Sequence, residues 1–185
     1  GSASAREWKN YVYEADVTLT EVAYNENLSV PYAAIVAAVN SDNAGYEFAL
    51  MYDKNSDYYY VRLYDRIHGQ QLSGTSYAFE LDETVKLKME VSEDTIKCYA
   101  NNELLIMVSD LTDLQGTIGI RGAGNEAKFD NLSVTEYDGG IEVTIPFMES
   151  FDRTEDELAS LWSNGAAVRI EDGQAVLDDT VGSMY

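Results

Sequence analysis

The chain has 185 residues, which indicates one domain or one domain plus a fragment, and its 45% of hydrophobic residues excludes a disordered chain. Lys and Arg number 12 against 33 Asp and Glu, which gives a formal net charge of −21. This charge argues against nucleic acid and anionic membranes as partners, because phosphate binding needs clustered Lys and Arg. No segment approaches the roughly 20 apolar residues of a membrane span, so membrane insertion is not expected.

The dominant sequence period is two, which is typical of half-buried strands. It is clearest in YVYEADVTL, which places five apolar or aromatic residues on one face: Tyr11, Tyr13, Ala15, Val17 and Leu19. Further apolar or alternating segments follow at 33–39, 46–52, 58–66, 85–91, 95–100, 104–108, 116–122 and 127–137. Roughly nine strands with polar turns and almost no helical pattern predict an all-β sandwich or barrel.

The end of the chain has a different pattern. In TEDELASLW, Thr154 and Glu157 have the spacing of a capping box, and apolar residues follow at helical spacing, which predicts one short helix. AAVRIEDGQAVLDD then predicts two short strands around a turn at 171–173. We therefore divide the chain into a main body (1–137), a joint (138–146) and a tail (147–185).

Several motifs of the main body form a known series: W-x-x-Y at Trp8 and Tyr11, then YEADV, YYYVRLYDR, G-x-I-G-I-R and AKFDNLSV. This series resembles the concanavalin A-like, or laminin-G-like, jelly-roll modules of secreted bacterial proteins. It is similar to the levan-binding carbohydrate modules and to the sandwich of the 3-keto-disaccharide hydrolase family. The resemblance covers residues 8–135 and implies a two-sheet antiparallel jelly roll with an extracellular or cell-surface location.

The segment FMESFDR at 147–153 resembles the opening strand of those modules, although here it stands near the end of the chain. The resemblance therefore implies a permuted strand order, which arises either by circular permutation or by excision from a tandem array. We expect the tail to complete a single sandwich over residues 1–185 by pairing with AKFDNLSV. The alternative is exchange of the tail between two chains, so the protein is expected to be a monomer or a tail-swapped dimer.

No catalytic constellation is evident in the sequence. The glucanases with the implied fold use E-x-D-x-x-E, and the nearest match, ELDETV at 80–85, has Val85 in place of the second glutamate. Glu80 and Asp82 are therefore expected to be turn residues. His68 is the single histidine, which does not make a zinc site without cysteine neighbours. The chain is thus predicted not to be an enzyme.

A tyrosine-rich strand is the candidate sugar platform. Alternation in YYYVRLYDR directs Val61 and Leu63 to the core with Tyr59, and leaves four side chains on the other face. Sugars bind to aromatic faces flanked by a few planar polar groups, which predicts a ligand site at Tyr58, Tyr60, Arg62, Tyr64, Glu47 and Arg121. The alternative is that tyrosine is simply a good strand residue on half-exposed faces.

Ala38 stands where the levan-binding modules carry an arginine, so that planar cation is expected to be absent here. The resemblance also implies a structural calcium ion where the opening strand meets the FDN strand. The candidate ligands are Asp130, Glu149 and Asp152, since calcium takes several oxygen ligands in flexible geometry.

These observations predict a non-catalytic carbohydrate-binding or adhesion module of a larger extracellular bacterial protein, with a glycan as its partner. One alternative is a structural spacer repeat of a surface protein without a ligand. Another is an accessory domain of a glycoside hydrolase.

Overall fold

The computed structural model describes residues 8–138, 141–142, 147–152, 168–177 and 182–184. All regular secondary structure in these ranges is β-strand. The strands are β1 Tyr11–Ala23, β2 Tyr32–Val39, β3 Tyr46–Asp53, β4 Tyr58–Asp65, β5 Gln70–Ser76, β6 Thr84–Ser92, β7 Thr95–Ala100, β8 Glu103–Val108, β9 Thr117–Ala123, β10 Asn125–Asp138, β11 Ile141–Glu142, β12 Phe147–Glu149, β13 Val168–Glu171, β14 Gln174–Leu177 and β15 Gly182–Met184. The helix predicted between Thr154 and Trp162 lies outside the described residues.

The strands form two antiparallel sheets that pack as a sandwich. The large sheet has the order β13-β14-β10-β1-β6-β7-β8, and β11 and β12 also pair with β10. The small sheet has the order β15-β9-β2-β3-β4-β5. This architecture confirms the predicted all-β jelly-roll sandwich.

All nine strands predicted in the main body are present, with small changes at their ends. The sequence analysis missed β5, whose sequence QQLSGTS contains Leu72 as its one apolar residue. This strand lies at the edge of the small sheet and pairs with β4 alone. Because an edge strand of this kind buries little apolar surface, its hydrophobic alternation is too weak to predict a strand.

The core lies between the sheets, and the period-two pattern correctly predicts its residues. Each of the five inward positions of β1, from Tyr11 to Leu19, is buried. The small sheet supplies a facing set of buried side chains, which includes Ile35, Phe48, Leu50, Val61, Leu63 and Ile120.

Two tyrosines of β1 form hydrogen bonds across this core to the backbone of the small sheet. The Tyr11 hydroxyl accepts a 2.9 Å hydrogen bond from the N–H of Ala38, and the Tyr13 hydroxyl donates to the carbonyl of Gly119 at 2.9 Å. Burial raises the pKa of both phenols well above the usual value. Ala38 has a φ of 53° and lies where the β2–β9 register shifts, between Val36 and Val39. At this bulge, Tyr11 therefore satisfies a backbone N–H that would otherwise be buried without a partner.

The described strands of the tail join both sheets. The predicted antiparallel pairing of FMESFDR with AKFDNLSV is confirmed, because β12 pairs with Leu132–Val134 of β10. Strand β14 pairs with Ala127–Phe129 of the same strand, and β15 pairs with β9 in the small sheet. Phe151, Ala175 and Leu177 are fully buried in the core. The division into one domain over 1–185 with a joint at 138–146 stays a prediction.

Replacing Tyr11 with phenylalanine is expected to lower the free energy of unfolding by about 1–3 kcal/mol, because it leaves the buried N–H of Ala38 without an acceptor. Urea denaturation measures this change. Tyr52→Phe is the control, because the Tyr52 hydroxyl bonds to Asp57 at the surface, and we expect a change within about 0.5 kcal/mol. Equal effects of the two substitutions would contradict a special role for Tyr11.

A chain truncated after Tyr137 is expected to lack a cooperative unfolding transition. It loses the buried tail side chains, each worth roughly 1.5–3 kcal/mol, and leaves one edge of β10 unpaired. Thermal unfolding followed by near-ultraviolet circular dichroism tests this expectation. A cooperative transition at the temperature of the full chain would show that the tail is not part of this sandwich.

For the full chain, light scattering is expected to give the monomer mass, and a dimer mass would favour an exchanged tail.

Candidate functional site

Strand β4 presents its aromatic and basic side chains on the outer face of the small sheet, as the alternation predicts. Val61 and Leu63 are fully buried in the core, and Tyr59 packs against it. The intervening side chains point the other way, and Tyr60 packs against a second, outer cluster built around Tyr32. Tyr58 is the most exposed of this group, with 47% of its surface accessible.

Strand register brings residues from three further strands to the same face. Glu47 of β3 lies opposite Tyr64 of β4. Arg62 and Arg121 lie in one row across the sheet, with two alanines between them. The resulting surface, called the arginine–tyrosine face below, comprises Tyr32, Glu47, Tyr58, Tyr60, Arg62, Tyr64, Arg66 and Arg121. It includes all six ligand-site residues predicted from the sequence, whose role in binding stays a prediction.

The centre of this face is the buried carboxylate of Glu47, whose side chain is 0% exposed. Arg66 binds it through two hydrogen bonds, from Nε to Oε2 at 2.9 Å and from Nη2 to Oε1 at 3.2 Å. Arg62 donates from Nη2 to Oε1 at 3.2 Å, and Arg121 approaches Oε2 at 4.0 Å. Three guanidinium groups therefore surround one carboxylate, so positive charges outnumber negative ones at this centre.

Tyrosine rings extend the face on both sides of the arginines. The ring of Tyr64 contacts the guanidinium carbons of Arg62 at 4.9 Å and Arg66 at 4.7 Å, measured to the ring centroid. Tyr58 and Tyr60 stack on each other with centroids 5.5 Å apart and an interplanar angle of 20°. The face therefore combines flat aromatic surface with planar hydrogen-bond donors.

Charge and burial act together on the ionisable groups of this face. Burial, followed by the nearby carboxylate of Glu47, raises the pKa of Tyr32 to about 12. Burial lowers the pKa of Arg66, but its hydrogen bond and ion pair with Glu47 outweigh this effect and raise the pKa overall. The phenol of Tyr32 is therefore neutral at physiological pH and accepts a hydrogen bond from Arg66 at 3.2 Å.

The sequence analysis missed Arg66 and Tyr32 as members of the face. Arg66 follows β4 at the same parity as Arg62 and Tyr64, so the period-two alternation alone could have included it. For Tyr32, no such signal exists, because it begins an apolar segment that is buried on both faces. Ala38 lies in the core, so this position adds no cation to the face. The guanidiniums of the face come instead from Arg62 in β4, Arg66 in the turn after β4 and Arg121 in β9.

The other polar residues considered from the sequence have structural surroundings. Glu80 and Asp82 lie in the turn before β6, where Asp82 has a φ of 66°, which confirms that they are turn residues. His68 lies in the turn after β4, and its Nδ1 is 2.7 Å from Oδ2 of Asp65, the last residue of that strand.

The three candidate calcium ligands lie along the edge of β10 that the tail covers. Next to Asp130, β10 has a bulge at Asn131, whose φ is 50°, and this bulge lies between the segments paired with β14 and with β12. Burial, then the carboxylates of Asp16 and Asp152, raises the pKa of Asp130. Glu149 is buried, and its Oε1 accepts a hydrogen bond from the N–H of Phe151 at 2.9 Å. Within the described ranges, no three acidic, His or Cys side chains have a metal-binding arrangement, so calcium stays a prediction.

A family model described as a 3-keto-alpha-glucoside-1,2-lyase-like domain matches residues 2–135. The chain belongs to this family. No curated protein matches the chain. In the described ranges there is no helix long and apolar enough to cross a membrane.

Solved structures resemble this 3-keto-alpha-glucoside-1,2-lyase-like domain in fold. The carbohydrate-binding module CBM66 of Bacillus subtilis superposes with a TM-score of 0.56 and 18% identity, over 70% of this chain and 76% of that one. A Bacillus subtilis protein of unknown function with a galectin-like fold gives a TM-score of 0.53 and 11% identity, over 71% of this chain and 74% of that one. The domain therefore has the concanavalin A-like jelly-roll fold found in a carbohydrate-binding module.

If Asp130 and Glu149 share a calcium ion, calcium should raise the Tm of the protein, by an amount that grows with the logarithm of the calcium concentration above the dissociation constant. EDTA should lower the Tm, and Asp130→Asn should remove the response to both. Asp94→Asn, in the turn between β6 and β7, is the control and should retain the full response. Differential scanning calorimetry measures these shifts, and a wild-type Tm indifferent to calcium and EDTA would contradict the site.

Proposed function

We propose that the chain is a non-catalytic carbohydrate-binding module that holds a glycan on the arginine–tyrosine face, with a role in binding or adhesion outside the cell. The observation that carries the proposal is the stacked pair Tyr58 and Tyr60 beside three guanidinium groups. The fold shared with a carbohydrate-binding module supports it. The proposed location and a larger extracellular parent protein rest on the same likeness.

The chemistry of this surface suits a sugar ring. Sugars present flat faces of C–H groups that pack on aromatic rings, and pairs of hydroxyls that accept hydrogen bonds. Tyr58 and Tyr60 supply the aromatic surface at the more exposed end of β4. The arginines supply planar donors that stay charged at every physiological pH. Because all these groups lie on strands and on one adjoining turn, the platform is held by the sheet.

An enzymatic role is the second candidate, because the family description names a lyase-like domain. Acid–base catalysis on this face would need a group free to move a proton. The oxygens of Glu47 already accept hydrogen bonds from two arginines, and burial raises the pKa of Tyr32 to about 12, which makes its phenol a still weaker acid than an ordinary tyrosine. The composition of the face therefore favours binding over turnover, and a spacer without a ligand is the remaining alternative.

Replacing Tyr60 with alanine is expected to lower glycan affinity at least about fivefold, since a lost stacking contact is worth about 1 kcal/mol. Arg62→Ala should weaken binding similarly. The matched control is Tyr99→Ala on the outer face of the large sheet, where the ring contacts the ammonium of Lys88 at 4.1 Å. A glycan array identifies the ligand, calorimetry gives the affinities, and the Tm of each variant reports its folding.

Unchanged affinity in both Tyr60→Ala and Arg62→Ala would rule out this face as the binding site. A wild-type chain that binds no glycan on the array would favour the spacer. Cleavage of a bound glycan, followed by chromatography of the products, would overturn the non-catalytic part of the proposal.

A further inference from the structure

The arginines of the arginine–tyrosine face are not equally neutralised. Arg66 makes a two-point pair with Glu47, through Nε at 2.9 Å and Nη2 at 3.2 Å. Arg62 has one bond of 3.2 Å to an oxygen that already accepts from Arg66, and Arg121 lies 4.0 Å from the other oxygen. One carboxylate therefore compensates Arg66, while most of the positive charge of Arg62 and Arg121 is left over.

The same two arginines have unused hydrogen-bond donors. The Nε atoms of Arg62 and Arg121 are buried and have no hydrogen-bond partner among the described residues. Their side chains nevertheless keep 17% and 19% of their surface exposed, so both guanidiniums are accessible from solvent. Because the Nε atoms are buried, a ligand reaches these guanidiniums through their exposed terminal nitrogens.

This local excess of positive charge contrasts with the rest of the chain. The formal net charge is −21, yet three of the six arginines meet on this face. The two described clefts lie elsewhere and are lined by carboxylates, one with Glu90, Glu93 and Asp94, and the other with four acids. Acids are thus abundant in this protein, but among the described residues only Glu47 forms ion pairs with the three arginines.

Only small side chains lie between Arg62 and Arg121 along their row of the sheet. In the row that joins them, the two intervening positions are Ala34 of β2 and Ala49 of β3, whose side chains end at Cβ. These small side chains leave the partly exposed sides of the two guanidiniums uncovered, next to the Glu47 carboxylate that both approach. Planar guanidiniums on two sides match the oxygens of a carboxylate or sulfate group.

We propose that the glycan held on this face is an anionic saccharide, whose carboxylate or sulfate ester binds the exposed sides of Arg62 and Arg121. This inference rests on the proposed function and names the class of sugar. The sugar ring that carries the anion packs towards Tyr60, two residues along β4 from Arg62. The anion accepts hydrogen bonds from the exposed part of the two guanidiniums, and it completes the charge balance that Glu47 begins.

The test is calorimetric titration with matched pairs of oligosaccharides. One pair is oligogalacturonate and its methyl ester, which masks the carboxylates on an unchanged backbone. The other pair is sulfated and unsulfated cello-oligosaccharide. We expect at least about tenfold tighter binding of one anionic member than of its neutral partner, and weaker binding as salt is raised. The pair that shows the preference distinguishes a carboxylate from a sulfate ester.

Arg121→Gln should reduce the preference for the anionic member at least about fivefold, and Arg121→Lys, which keeps the charge without the planar fork, should give an intermediate loss. The control is Arg169→Gln, whose guanidinium pairs with Glu126 at 2.9 Å and Glu171 at 3.0 Å on the large sheet, and it should keep the full preference. Equal Tm values for the variants show that folding is retained.

Equal affinity for the members of both pairs would overturn the anionic ligand while leaving glycan binding on this face intact. Acetate or sulfate alone binding as tightly as the oligosaccharide would overturn the saccharide ligand. Failure of every saccharide, anionic or neutral, would overturn the proposed function together with this inference.

Discussion

The outer face of the small sheet is organised by one constraint, which is that the carboxylate of Glu47 is completely buried. A buried charge is tolerated only when it is paired and hydrogen-bonded. Arg62, Arg66 and Arg121 converge on it from both sides, and the ring of Tyr64 packs against two of these guanidiniums. The orientations of the basic and aromatic groups therefore follow from the need to compensate one acid.

The core supports this face from behind. Tyr11 and Tyr13 of β1 bond across the sandwich to the backbone of Ala38 in β2 and Gly119 in β9. These two strands also carry Tyr32 and Arg121 to the outer surface. The hydroxyl bonds fix the two strands relative to the large sheet, so the outer side chains lie on a rigid base. Precise positioning of this kind is what a binding site needs from its scaffold.

The tail contributes to both layers, since β12 and β14 cover one edge of β10 and β15 pairs with β9 next to Arg121. The family match covers residues 2–135 only, so these strands come from the part of the chain beyond it. The edge that carries Arg121 is therefore completed by residues from the end of the chain. Core packing and the candidate site both depend on this long-range pairing.

Sequence alone determined the fold class and the faces of the strands, because alternation of apolar residues directly reports which side of a strand is buried. It placed Tyr58, Tyr60, Arg62 and Tyr64 together for the same reason. It missed β5, whose apolar alternation is weak, and it could not show that Glu47 is buried among three arginines. That arrangement depends on the register of four strands and on side chains far apart in the chain. Only the tertiary structure decides such contacts, because strand pairing between distant segments is set by packing and not by local pattern.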